Sequence, residues 1–122
     1  MVIKGAVAFS NLKEKETYLG HPGTKYSLVV VLDAPSAEGL KEKGVELKEY
    51  KGNPQKKLVT YKEIPVIDTS DAPFEGEIPR HSKVNAIVTI AKNRTGVLTP
   101  YLEAVRVVEL PQTSTGVFEE GF

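Results

Sequence analysis

Lys25-Tyr26-Ser27-Leu28-Val29-Val30-Val31-Leu32 decides the fold. Val29, Val30 and Val31 are β-branched and fit a pleated strand better than a helix, and the nearly unbroken apolar run implies burial on both faces. Such a strand sits in the middle of a sheet. On its N-terminal side, Ile3, Val7 and Phe9 fall on alternate positions of another strand, in which Gly5 marks a bulge or a close backbone approach. Asn11 to Thr24 lies between the two; it is polar, contains Gly20, Pro22 and Gly23, and reads as a long connecting loop.

On the C-terminal side, Ser36 is placed to cap a short helix through Ala37, Glu38 and Leu40, and Gly44 to end it at Lys43. Val45 to Tyr50 and Gln55 to Tyr61 read as extended segments around a turn at Gly52, Asn53 and Pro54. Pro65 restricts the second of them to an edge or a bulge. Asp68 to Pro79 carries three prolines or glycines among acids and should be irregular. Lys83 to Ala91 and Tyr101 to Leu110 are two further strands, separated by a turn-rich segment with Gly96 and Pro100. About five strands and one helix suit a small all-β barrel or sandwich better than any α/β plan.

At 122 residues the chain is expected to form one domain, over 1–110, with a core large enough to fold without disulfides or a metal. Cysteine is absent, which excludes a disulfide framework and a cysteine nucleophile and fits a reducing compartment. Met1 to Ser10 is too short and too interrupted for a signal peptide or a membrane span, so a soluble intracellular protein is expected. Pro111 to Phe122 is mostly Thr, Ser, Gly and Glu, with Phe118 and Phe122, and should be a flexible tail.

Sixteen basic and sixteen acidic side chains cancel, which is not the even basicity of a simple nucleic-acid binder. The charges are segregated instead. Lys41 to Lys62 holds seven Lys against three Glu, and Arg80 to Arg94 holds four basic residues and no acid. Glu63 to Glu77 holds five acids and no base. A neutral protein of this kind can carry a basic groove and a separate acidic tail.

Four stretches together resemble the oligonucleotide-binding (OB) fold of bacteriophage single-stranded DNA-binding proteins. They are Val2-Ile3-Lys4-Gly5-Ala6-Val7-Ala8-Phe9, Gly23-Thr24-Lys25-Tyr26-Ser27-Leu28, Phe74-Glu75-Gly76-Glu77-Ile78-Pro79-Arg80-His81-Ser82-Lys83-Val84, and Tyr101-Leu102-Glu103-Ala104-Val105-Arg106-Val107. The pattern runs across most of the chain and contains no catalytic signature. His81 stands where family members usually carry a small residue such as Gly. The resemblance implies a five-stranded OB barrel, binding of single strands without sequence preference in replication or recombination, no cofactor, and a place in the cytoplasm of an infected bacterial host. It also implies an acidic tail closed by an aromatic, here Glu119, Glu120 and Phe122, that contacts phage replication proteins or competes with DNA for the groove. The sheet edge near Pro65 and swapped tails are the two routes to a homodimer.

Unselective strand binding needs cations along the phosphates and flat side chains on which bases stack. Alternation places Lys57, Val59 and Tyr61 on one face of their strand, with Lys56, Leu58, Thr60 and Lys62 on the other. Tyr61 beside Lys57 is the leading stacking platform. Of Lys25 and Tyr26, one must face the groove if the other faces the core. Lys92 and Arg94 flank the loop after the fourth strand, and Arg80 and Lys83 precede it. Tyr101 is a further candidate for base contact, and becomes a core residue instead if its strand keeps it in phase with Val105 and Val107. Taken singly, a lysine is ordinarily solvated and a tyrosine ordinarily core or rim, so the case rests on the combination.

An enzyme would need a base, a nucleophile or a metal, and His21 and His81 are joined to no catalytic motif. Asp68, Asp71, Glu75 and Glu77 lack the ligand spacing of a calcium loop and read as turn residues. No metal is expected. A β-barrel interaction or structural module without nucleic-acid binding is the alternative that zero net charge suits equally well.

Overall fold

The computed structural model describes residues 1–13, 17–18, 21–22 and 25–111. Along the chain these form β1 (Val2–Asn11), β2 (Thr17–Tyr18), β3 (His21–Pro22), β4 (Tyr26–Leu32), α1 (Ala34–Glu42), β5 (Lys48–Tyr50), β6 (Asn53–Thr60), β7 (Val66–Ile67), β8 (Lys83–Lys92) and β9 (Leu98–Glu109). The expected central strand is β4, which pairs antiparallel with β1 on one side and β6 on the other. The main sheet runs β5-β6-β4-β1-β8-β9-β7 and curls until β6 meets β9 in parallel at Val59 and Tyr101. Five strands, β1-β4-β6-β9-β8, therefore close on themselves into an OB-type barrel. The long connection after β1 is not wholly irregular, because β2 and β3 pair with each other. Among the described residues, no helix is long and apolar enough to cross a membrane.

The core is what alternation predicts for a barrel this small. Ile3, Val7, Leu28, Val30, Leu58, Val84, Val88, Leu102 and Val105 point inward and are almost fully buried, so side chains fill the interior. Burying such an aliphatic side chain contributes about 1.5–3 kcal/mol, which makes this cluster the main source of stability. Helix α1 adds Ala37 and Leu40 to it.

Three local expectations are corrected. The helix begins three residues early: Asp33 is the N-cap and its carboxylate accepts from the Ser36 amide at 2.9 Å, with Pro35 in the first turn. The Ser36 hydroxyl is committed elsewhere, accepting from the Lys4 amide of β1 at 2.8 Å. The β5–β6 turn is Lys51-Gly52, both at positive φ, as a two-residue hairpin loop requires, so Asn53 and Pro54 belong to β6. Strand β9 starts at Leu98, and Pro100 lies within it opposite Ile90.

Gly5 is a close backbone approach. A Cβ built there would stand 2.1 Å from the carbonyl oxygen of Val31 on β4 and 2.7 Å from the Val30 side chain. The turn before β8 keeps a left-handed residue despite lacking glycine: His81 has φ of 73° and its amide donates to the Val7 carbonyl at 2.7 Å.

Gly5→Ala should therefore force β1 from β4 and cost at least about 2 kcal/mol, read as a fall in the urea midpoint. His81→Gly relieves left-handed strain of about 1–2 kcal/mol against glycine's larger chain entropy of roughly 0.5–1 kcal/mol. A small rise in the same midpoint is expected.

Candidate nucleic-acid interface

The outer surface of β1, β4 and β6 is laid out by register. Phe9, Val29 and Lys57 lie side by side in one row, and Asn11, Ser27 and Val59 in the next, where Tyr101 of β9 continues the line. Strand β6 has the predicted alternation: Leu58 and Thr60 are buried, while Lys57 is exposed and Val59 points outward as part of a well-covered floor. A depression of about 320 Å³ opens beside this floor, lined by Val29, Lys48, Gln55, Lys56, Lys57 and Val59.

Tyr61 follows the end of β6 and is 60% exposed. Its ring centroid lies 6.3 Å from that of Tyr101, with the planes tilted by 39°. The two rings lie within the distance of an interacting aromatic pair, Tyr61 open to solvent and Tyr101 half-buried.

Tyr101 is outside for a reason that alternation hides. Ala104 pairs with Ile87 and Leu102 with Val88, so Glu103 is an extra residue in β9. This bulge shifts the phase of the strand, and Tyr101 no longer shares a face with Val105 and Val107. The same happens in β1, where Val7 pairs with Val30 and Phe9 with Val29, leaving Ala8 over. Phe9 was expected on the core face with Ile3 and Val7; it is instead 57% exposed on the outer one.

Tyr26 is a correction in the other direction. It is only 8% exposed and belongs to the hydrophobic core, so no base can stack on it. Lys25, half-buried, is the member of that pair at the outer surface. Lys56 lies on the opposite face of β6 from Lys57; burial lowers its pKa from the ordinary lysine value, an effect opposed by Glu46 and reinforced by Lys48. Lys62 is 3.7 Å from Glu103 and Lys83 is 3.8 Å from Glu109, exposed pairs worth at most about 1 kcal/mol each. Lys83 pairs with Ala6 across β1, on the far side of that strand from β4. Arg80, in the turn before β8, is exposed.

Lys92 and Arg94 are exposed on the β8–β9 hairpin. Its loop is ordered by Asn93, whose side-chain oxygen accepts from the Thr95 amide and hydroxyl and from the Val97 amide. Tyr101 lies three residues beyond Leu98, which puts this hairpin about 10 Å from the tyrosine pair. Glu119, Glu120 and Phe122 lie outside the described residues.

Three of the acids between β6 and β8 have structural employment. Asp71 pairs with Arg106 at 2.6 Å, and Asp68 accepts from the amides of Ser70 and Ala72 in its own turn. Glu77 accepts from the Ser10 hydroxyl and the Leu12 amide at 2.7 Å and from the Lys13 amide at 2.8 Å. This carboxylate pins the base of the loop after β1, and its role was not legible because its partners are more than 60 residues away. Among the described residues, no group of three or more His, Asp or Glu is placed to hold a metal ion.

No protein-family profile matches the chain, and no curated protein matches it by sequence. Solved structures do match. A single-stranded DNA-binding protein of bacteriophage Enc34, in complex with single-stranded DNA, superposes with a TM-score of 0.68 at 12% identity over 91% of this chain and 88% of that one. Its C-terminally truncated form gives 0.65 at 15% identity over 91% and 87%. The fold is that of phage single-stranded DNA-binding proteins. A second such protein, encoded by bacteriophage T7, gives 0.51 at 14% identity over 94% of both chains.

Glu77→Ala leaves the part-buried Leu12 amide without its acceptor and should cost about 1–3 kcal/mol. Hydrogen exchange would show it first, as faster exchange at Leu12 and Lys13 than in the barrel strands.

Proposed function

We propose that this chain coats single-stranded DNA without sequence preference, in phage DNA replication or recombination, and that it does so as a binding protein and not as an enzyme. The observation that carries this reading is the exposed Tyr61–Tyr101 surface, set on the same outer face as Lys57 and within reach of the cationic β8–β9 hairpin. Aromatic faces accept any base, at about 1–3 kcal/mol per stacked base, while lysine and arginine follow the phosphates. OB barrels bind oligonucleotides over their second and third strands and the loops beside them, which here are β4, β6 and the β8–β9 hairpin. The shared fold with a phage protein solved on single-stranded DNA supports the same reading.

Tyr61 and Tyr101 are assigned to stacking, and Lys57, Lys25, Lys92 and Arg94 to the phosphate path, with Lys62 at its border. Residues 1–110 form the binding domain. The tail, 111–122, contacts replication proteins through Glu119, Glu120 and Phe122. Zero net charge is no obstacle, since Asp68, Asp71 and Glu77 are engaged in a turn, an ion pair and hydrogen bonds to backbone amides.

Fluorescence anisotropy with a labelled oligo-dT of roughly 30 nucleotides, inside the range that one or a few OB folds occupy, tests the proposal at two salt concentrations. Tight binding that weakens with salt and resists duplex competitor is expected. Tyr61→Ala should weaken it about 5- to 100-fold, and Lys57→Ala should reduce the slope of log K against log salt by about 0.7. No binding at low salt would overturn the reading and leave an interaction module in its place.

A further inference from the structure

From its position we infer that Phe9 is a second base-stacking platform, at the far end of the face from the tyrosine pair; this rests on the DNA-coating reading above and extends the strand's path across β1. A phenylalanine ring 57% exposed on a strand of a small barrel lacks an explanation in packing, because Ile3 and Val7 of β1 and Leu12 just beyond it already supply the buried apolar side chains there. Its neighbours across the sheet are Val29 and then Lys57, so an apolar ring, an apolar floor and a cation stand in one row. At the other end of the face the Tyr61–Tyr101 ring pair stands beside Val59, again an aromatic next to an apolar floor.

The bulge at Ala8 strengthens the case. Without the extra residue Phe9 would point inward, so the chain gives up regular pairing at one position and turns an aromatic outward there. It does the same at Glu103, and the ring turned outward is Tyr101. From Lys57 to Tyr61 is four residues, about 13 Å along β6, and Phe9 lies two strands, about 10 Å, to the side of Lys57. A strand crossing the face diagonally would meet the tyrosines first, Lys57 in the middle and Phe9 last, within a site of roughly 4–16 nucleotides.

The chain contains no tryptophan, so Phe9→Trp installs a single indole reporter. Its emission should be quenched as oligo-dT saturates the protein. Val108→Trp, exposed near the far end of β9, should stay unchanged. Phe9→Leu keeps apolar volume and removes the flat ring; it should fold with an unchanged urea midpoint and bind oligo-dT about 5- to 100-fold more weakly. If Phe9→Leu binds like the parent protein and the Phe9→Trp emission does not respond, the ring is apolar cover only and the inference is overturned, while the coating function stands on the parent protein's own binding. Failure of the parent protein to bind oligo-dT removes the function itself and this inference with it.

Discussion

Everything in this molecule depends on closing a five-stranded sheet with a single parallel contact. Among the described residues Val59 and Tyr101 are the pair in register between β6 and β9, and that contact converts an open sheet into a barrel in which Leu58 and Leu102 are buried. A barrel this narrow needs strands that bend and coil strongly. The long strands β1 and β9 do so through the extra residues Ala8 and Glu103. Gly5 supplies the complementary concession, letting the backbone of β1 lie against Val31 where any side chain would collide.

The curvature device and the proposed binding surface are thus the same feature. A bulge shifts the phase of everything beyond it, so a strand that needs one must change which residues face the core. In β1 and β9 the residue exposed by that shift is aromatic, Phe9 in one and Tyr101 in the other. Had either been polar, the barrel would close equally well and the face would carry one fewer ring. Closure also sets Tyr101 beside Tyr61, which belongs to a segment 40 residues earlier in the chain.

This explains what the amino-acid sequence does and does not disclose. β4, the alternation of β6 and the short helix were legible because each is a local property: β-branching, period two, and a capped apolar turn. Lys57 and Tyr61 could be placed on one face for the same reason. Phe9 and Tyr101 could not, since a one-residue bulge leaves no mark in composition and is decided by the partner strand. The helix cap failed similarly: Ser36 and Asp33 are both good caps, and only the Lys4 amide, 32 residues away, settles which of them is free to serve. Tyr26 was ambiguous from the start, because at a strand end either neighbour can turn inward.

The gap between 12–15% sequence identity and a shared barrel follows from the same physics. Closure demands inward apolar residues at alternate positions, a close approach between the first two strands and bulges that bend the longer ones; it does not demand particular side chains. Even the turn before β8 tolerates histidine at a left-handed position, because the hydrogen bond from its amide to the Val7 carbonyl holds the conformation. Outward residues are freer still, since barrel stability hardly depends on them. A basic and aromatic cluster on that unconstrained face, in a protein whose charges sum to zero, is consequently more informative about function than the barrel beneath it.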